Sequence, residues 1–139
     1  MALVTDIDHL SIAISHAAAP AFMLGAVAGF LSILISRLER IVEMNRTLRS
    51  AGDGDSTRIA IAASLSRRME LLARAIYFAV LSALVTAALL ISAFLAALGG
   101  VGHARIVAVM FTVSLGLLMA SLVELTREIR IYMTNMRLE

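Results

Sequence analysis

Residues 75–102 read AIYFAVLSALVTAALLISAFLAALGGVG and contain no charged side chain. An α-helix rises about 1.5 Å per residue, so about 20 apolar residues cross the hydrocarbon core of a bilayer. Residues 10–36 and 106–123 also lack Asp, Glu, Lys and Arg. All three stretches are rich in Ala and Leu and do not alternate as strands do. The sequence therefore predicts an all-α fold with three transmembrane helices.

The composition fits a lipid environment better than water. Of the 139 residues, 60% are apolar and 16% are charged, and the mean hydropathy is +0.93. Soluble domains are about 45–50% apolar and about 25% charged, and a chain this short has too little interior to bury the excess. We therefore predict a membrane protein rather than a soluble enzyme.

The residue types that the chain lacks narrow the chemistry further. There is no Cys, and all twelve basic residues are Arg. Disulfides, thiolate chemistry and lysine Schiff bases are therefore ruled out. The sequence also has no nucleophile–base pair, Gly-rich phosphate loop or convergent carboxylate pair. We predict no enzymatic activity and no cofactor.

The arginines outside the apolar stretches indicate the orientation. Eight lie between the first and second stretches and three follow the third, whereas only Arg105 lies on the opposite side. Because Arg-rich loops stay in the cytoplasm, we predict that the N-terminus is outside and the C-terminus is cytoplasmic. The predicted organisation is one membrane domain, 1–139, with spans at about 15–36, 76–98 and 105–124, a cytoplasmic helical hairpin at 37–75 and a cytoplasmic tail helix at 125–139.

Small residues recur every four positions in the first and third spans. Small side chains let helices approach closely in lipid, so these rows are candidate helix-packing faces. They serve packing either within one protomer or between protomers. The candidate residues are Ala17, Ala21, Gly25 and Gly29 in the first span, and Ala108, Thr112, Gly116 and Ala120 in the third.

When the four-residue spacing of the third span is continued past Ala120, it reaches Glu124 and Glu128. An ionisable group near the membrane interior is expected to have a partner, and Arg37, Arg40 and Arg74 lie at a similar depth. We therefore predict a cytoplasmic charge cluster of these five residues. It either fixes the register of the helices or forms a charge ring at a pore mouth.

A second polar group lies on the predicted outer side. Histidines and carboxylates can bind divalent ions, but no HxxxH or HExxH spacing is present. We therefore predict no metal, and a polar ring at the outer mouth of an oligomer is the alternative. The residues of this outer polar group are Asp6, Asp8, His9, His16 and His103.

The predicted partners follow from the arginines. Between Arg37 and Arg74 eight arginines face five acidic residues, but no aromatic residue lies among them. Nucleic-acid bases therefore have no stacking platform, and anionic lipid headgroups are the better partners. A homo-oligomer and an unidentified protein partner are also expected, because three helices leave unused packing faces.

Three motifs resemble those of a known family. They are ISHAAAPAFMLGAVAGFLSILISRLERI at 14–41, RRMELLAR at 67–74 and LVELTREIR at 122–130. The chain is similar to a bacterial family of small membrane proteins of unknown function. The resemblance covers nearly the whole chain and implies three spans and a bacterial inner (cytoplasmic) membrane location. It implies no activity and no functional residue.

Two functions of different classes remain open. The oligomer forms a channel for ions or small solutes, as the small helices and the hydroxyl groups of the spans favour. Alternatively, it is a non-conducting scaffold or regulatory subunit that acts through its cytoplasmic helices. The absence of ionisable groups at the middle of every span favours this second function.

Overall fold

The computed structural model describes residues 1–52, 54–99 and 104–137. The described chain forms three helices: α1 (Ala2–Ser50), α2 (Ser56–Gly99) and α3 (Ala104–Arg137). Each is long and apolar enough to cross a membrane. The prediction of an all-α fold with three candidate membrane spans is confirmed.

The helices continue well past the apolar stretches. At about 1.5 Å per residue they are about 50 to 75 Å long, which exceeds the ~30 Å core of a bilayer. The connection between α1 and α2 is short and contains Gly52 at a positive φ of 53°, a conformation that glycine adopts without steric cost. The Arg58 guanidinium donates a hydrogen bond to the Ala51 carbonyl at 3.1 Å and so ties the start of α2 to this turn.

All three helices bury residues at a spacing of seven. Seven residues of a straight helix fall about 20° short of two full turns, and a left-handed supercoil removes this mismatch. One core can therefore run along most of the bundle, across both the apolar and the arginine-rich parts. The buried series are Val27, Leu34 and Ile41 in α1; Leu65, Leu72, Ala79 and Thr86 in α2; and Ser114, Ser121 and Glu128 in α3.

Helix α2 lies in the middle and packs along both neighbours, whereas α1 and α3 approach each other less closely. The pairing of α2 with α3 has a fixed antiparallel register. Three contacts define it, each seven residues from the next on both helices: Ser82 with Ser114, Ala75 with Ser121, and Arg68 with Glu128.

The rows of small residues do not form this core. A Cβ atom added to Gly25, Gly29 or Gly116 would meet no described atom within 4 Å apart from the nearby backbone of its own helix. The reason is geometric, since four residues advance a helix about 40° beyond a full turn and a row of fours winds away from any one neighbour. In these rows Ala17 and Ala120 are half-buried and the others are exposed: Ala21, Gly25, Gly29, Ala108, Thr112 and Gly116. Packing within the described chain therefore uses the seven-residue series instead.

Candidate functional site

Glu128 is a fully buried carboxylate on α3. Its Oε2 atom lies 3.0 Å from Nη1 of Arg37 on α1. Its Oε1 atom lies 2.7 Å from Nη2 of Arg68 on α2. One carboxylate therefore joins all three helices, and we call Arg37, Arg68 and Glu128 the Glu128 cluster.

Arg68 is the more enclosed of the two arginines. Its side chain is 14% exposed, and its Nε atom donates a second hydrogen bond of 2.8 Å to Oε1 of Glu128. The guanidinium also lies over the ring of Tyr132, with 4.8 Å between its central carbon and the ring centroid. This cation–π contact holds the guanidinium plane from a second side, so Arg68 is held both by charge and by packing.

Arg37 contributes from the edge of the bundle. Its side chain is 44% exposed and makes one hydrogen bond to Glu128. Hydrogen bonds between charged groups are stronger than neutral ones, but water screens an exposed arginine. Arg68 is therefore expected to supply most of the compensation for the buried charge of Glu128.

Other members of the predicted charge cluster lie elsewhere. Arg74 pairs with Glu70 one turn earlier on α2, at 2.7 Å. Glu124 lies 3.6 Å from Arg127, and its buried Oε2 atom has no hydrogen-bond partner among the described residues. Arg40 is exposed and has no ion pair among the described residues. The structure thus brings only Arg37 and Glu128 of the five together.

The sequence interpretation missed Arg68. The available signal was the seven-residue spacing, because Arg68 precedes Ala75 and Ser82 by seven and fourteen positions on α2. Glu128 follows Ser121 and Ser114 by the same steps on α3. When two antiparallel helices are in contact at one position of such a repeat, they are also in contact seven residues further along.

A second polar contact lies within the apolar stretches. Ser82 donates a hydrogen bond to the Ser114 carbonyl at 2.9 Å, and Ser114 donates one to the Ser82 carbonyl at 2.9 Å. Thr86 donates to the Ser82 carbonyl at 2.9 Å and also contacts the Ser114 hydroxyl. The Met23 sulfur of α1 lies 3.9 Å from Thr86 Oγ1. We call Met23, Ser82, Thr86 and Ser114 the span layer.

The hydroxyl groups of the span layer are satisfied within one chain. Ser82, Thr86 and Ser114 have no exposed surface. Between the span layer and the Glu128 cluster, Ser121 donates a hydrogen bond of 2.6 Å to the Ala75 carbonyl. Hydroxyls in lipid lower their free energy by bonding to carbonyls, so these three helices hold a buried, internally bonded polar core.

The outer polar group is only partly described. Asp6, Asp8, His9 and His16 are exposed along the first turns of α1, whereas His103 lies outside the described residues. Within the described residues, no group of three or more His, Cys, Asp or Glu side chains is arranged to hold a metal ion.

A surface groove runs along α2 and α3. One part encloses about 460 Å³ and a second part, nearer the apolar stretches, encloses about 480 Å³. Glu70 and Arg74 line both parts, so the two parts adjoin. We call this surface the α2–α3 groove. Its first part is also lined by Arg67, Leu71, Arg127, Arg130 and Ile131, and its second part by Ala73, Tyr77, Phe78 and Glu124.

The fold and these contacts define a small α-helical, multi-pass membrane protein. Three apolar helices supply the spans, and one buried ion cluster joins their arginine-rich extensions. The chain belongs to the family described as "Protein of unknown function (DUF2721)", whose model matches residues 17–138. Comparisons with curated proteins and with solved structures give no match.

Proposed function

We propose that the protein is a non-conducting, homo-oligomeric membrane scaffold or regulatory subunit. In this proposal it lies in the bacterial inner membrane, with its N-terminus outside and its arginine-rich helices in the cytoplasm, and it has no enzymatic activity. One observation carries the proposal: the Glu128 cluster joins the three extensions into a single unit. Such a unit is suited to presenting a fixed surface to partners.

The span layer argues against a channel lined by these hydroxyls. A hydrated pathway needs polar groups that face water, but Ser82, Thr86 and Ser114 are buried and bonded to one another. A channel would therefore have to form between protomers, along faces that are exposed in one chain.

The outward face of α1 favours association of two or more copies. Its core positions, such as Val27 and Leu34, lie on one side of the helix. On the opposite side, small and hydroxyl residues follow a spacing of alternately four and three, interrupted by the exposed Phe22. In lipid such a face lowers its free energy more by packing on a helix than by contacting acyl chains. Exposed residues of this face include Ser11, Ser15, Ala18, Gly25, Gly29, Ser32 and Ser36.

The arginine-rich helices favour contact with anionic headgroups as well as with a protein partner. Among the described residues, Arg40, Arg46 and Arg49 are exposed on α1 and form no ion pair. Arginines beside a membrane attract anionic lipids by about 1 kcal/mol each. The stretch from 37 to 75 is therefore proposed to hold the extensions close to the inner leaflet.

Flux measurements on reconstituted protein test the absence of conduction. Liposomes loaded with a potassium-sensitive dye receive the full-length protein, and a known ionophore serves as the positive control. We expect flux equal to that of empty liposomes. Flux that rises with the amount of protein would replace the scaffold with a channel formed between protomers.

Native mass spectrometry tests the oligomer through two matched substitutions. Gly29→Leu enlarges the outward face of α1, and Gly116→Leu makes the same change on the outward face of α3. Neither glycine has an atom within 4 Å of an added Cβ in one chain. We expect Gly29→Leu to yield monomers and Gly116→Leu to keep the oligomer. A monomeric wild-type protein would overturn the oligomer, and equal effects of the two variants would overturn the α1 interface.

The orientation is tested by labelling, because the chain has no cysteine of its own. Single cysteines replace Ala2 or Ser50, and intact cells are treated with a membrane-impermeant maleimide. Labelling of position 2 alone is expected. Labelling of position 50 alone would reverse the proposed topology.

A further inference from the structure

We propose that the α2–α3 groove binds one anionic glycerophospholipid from the leaflet on the arginine-rich side of the membrane. The phosphate group lies between Arg67 and Arg130, and an acyl chain follows Tyr77 and Phe78. This inference rests on the headgroup contacts proposed above and narrows them to one site on the chain.

Charge is unevenly compensated along the groove. Arg74 is paired with Glu70 at 2.7 Å, and Arg127 is paired with Glu124 at 3.6 Å. Arg67 and Arg130 line the same groove from two different helices and form no ion pair among the described residues. Two guanidinium groups from facing helices are a suitable pair of donors for phosphate oxygens.

The apolar part of the groove points to a lipid rather than to a free anion. Beyond Arg74 the lining changes to Ala73, Tyr77 and Phe78, whose aromatic rings meet edge to face with centroids 6.0 Å apart. Tyr77 is 65% exposed. A free phosphate makes no favourable contact with these aromatic rings. The acyl chain of a bound lipid packs against them.

The depth of the groove matches that of a phospholipid. The second predicted span begins at about residue 76, so Tyr77 and Phe78 lie within the hydrocarbon. The headgroup region adds about 5–8 Å on each side of the hydrocarbon core. Arg74 and Arg127 lie within about one helical turn of that boundary. Arg67 and Arg130 lie nine and six residues beyond it, which is about 14 and about 9 Å along the helices, and their long side chains can extend toward the headgroups. Basic pockets between transmembrane helices on this side of a membrane bind anionic headgroups in other proteins.

One buried atom lies beside the same groove without a partner. Glu124 lines the apolar part and its side chain is 12% exposed. Within the part of the chain that the structure describes, its Oε2 atom accepts no hydrogen bond. The Glu124 carboxylate repels a phosphate group, so the phosphate lies at the Arg67–Arg130 end of the groove and the acyl chain lies at the end lined by Tyr77 and Phe78.

Native mass spectrometry of delipidated protein in detergent tests the site. The probes are dioleoyl phosphatidylglycerol and dioleoyl phosphatidylcholine, titrated separately. The test variant is Arg67→Gln/Arg130→Gln. The control is Arg105→Gln/Arg137→Gln, which removes the same charge from two exposed α3 arginines that lie outside the groove and also form no ion pair among the described residues. Circular dichroism checks that both variants are folded.

We expect the wild-type protein to bind phosphatidylglycerol at least about ten-fold more tightly than phosphatidylcholine, because two arginines contact the anionic headgroup and each contributes about 1 kcal/mol. The test variant should lose this preference, and the control variant should keep it. Equal losses in the two variants would overturn the site and leave only diffuse attraction. No preference in the wild-type protein would overturn both the site and the headgroup contacts.

A second arm separates a lipid from a free phosphate compound. Ala73→Trp fills the apolar part of the groove and should weaken binding of phosphatidylglycerol. sn-Glycerol 3-phosphate at the same concentration should compete poorly with the lipid. Strong competition by glycerol phosphate, or unchanged lipid binding by Ala73→Trp, would identify a soluble-anion site instead. The flux and oligomer measurements above do not depend on any of these outcomes.

Discussion

The span layer and the Glu128 cluster occupy equivalent places in one repeat but differ in chemistry. Ser114 and Glu128 are fourteen residues apart on α3 and both are fully buried. Each contacts α2 directly and reaches a side chain of α1, which is Met23 in the first case and Arg37 in the second. The span layer contains neutral hydroxyls, and the Glu128 cluster contains three charges.

The chemical difference between the span layer and the Glu128 cluster follows from their different depths in the membrane. A helix rises about 21 Å over fourteen residues, which carries α3 from the middle of its predicted span to beyond its end. Ionised groups at the centre of a bilayer cost several kcal/mol, so serine and threonine supply the polar contact there. Near the end of the span, water reaches Arg37, and the free-energy cost of ionised side chains is lower. We expect the Glu128 cluster to carry more of the free energy of unfolding than the span layer.

The largest effect is expected for Glu128→Leu, because Arg68 would be left as a nearly buried charge without a partner. Removing one member of a buried ion pair costs about 3–5 kcal/mol. Unfolding in mixed dodecyl maltoside and SDS micelles, followed by circular dichroism, measures the loss. Glu124→Leu on the same helix is the control and should cost less than about 1 kcal/mol, because Glu124 has only a 3.6 Å contact to Arg127. Equal losses would mean that the Glu128 cluster does not determine stability.

A smaller and graded effect is expected for the two arginines. Arg68→Met removes two hydrogen bonds and the contact with Tyr132. Because the buried Glu128 still pairs with Arg37, we expect a loss of about 2–3 kcal/mol, below the full cost of an unpaired buried charge. Arg37→Met removes one hydrogen bond from a side chain that is 44% exposed, and we expect about 1 kcal/mol or less. The same unfolding measurement gives both values, and the reverse order would show that α1 rather than α2 holds Glu128.

The span layer should respond less than the Glu128 cluster. Ser114→Ala removes the hydrogen bond to the Ser82 carbonyl, and hydroxyl contacts between membrane helices average about 0.6 kcal/mol. The control is Thr112→Ala, because the Thr112 hydroxyl is exposed and bonds to Ala108 of its own helix at 2.9 Å. It should leave the free energy of unfolding nearly unchanged. A loss for Ser114→Ala as large as that for Glu128→Leu would contradict the ranking of the two levels.

An effect of similar size to that of Ser114→Ala, but with the opposite sign, is expected for Gly116→Ala. The added methyl group has open space in one chain, and replacing a glycine inside a helix stabilises it by about 0.5–1 kcal/mol. We expect a slightly raised midpoint of unfolding. A lowered midpoint would show that the outward face of α3 packs against another copy, which would place the oligomer interface there.

Much of the architecture follows from the sequence because it depends on local properties. Three uncharged stretches of sufficient length predict three spans, and the predicted hairpin at 37–75 and tail helix at 125–139 continue the helices beyond them. The turn between α1 and α2 also follows from local composition, since Ser50 to Asp55 contains two glycines and two aspartates. None of these features requires knowledge of which helix faces which.

The partner of each buried side chain could not be obtained in this way. A row of fours led to Glu128 in the sequence, yet that row winds around α3 and does not define its buried face. The seven-residue repeat defines that face, and it becomes visible once the helices are paired. The register between α2 and α3 brings Arg68 to Glu128 and leaves Arg74 with Glu70.

The sequence by itself therefore determined that the chain forms three apolar helices with arginine-rich extensions. These properties depend on residues that are close together along the chain. Only the tertiary structure decided that the serines of the spans bond to one another, that the small-residue rows face outward, and that Arg67 and Arg130 line one groove. Those outcomes depend on the relative rotation and register of long helices, which residues far apart in the sequence set together.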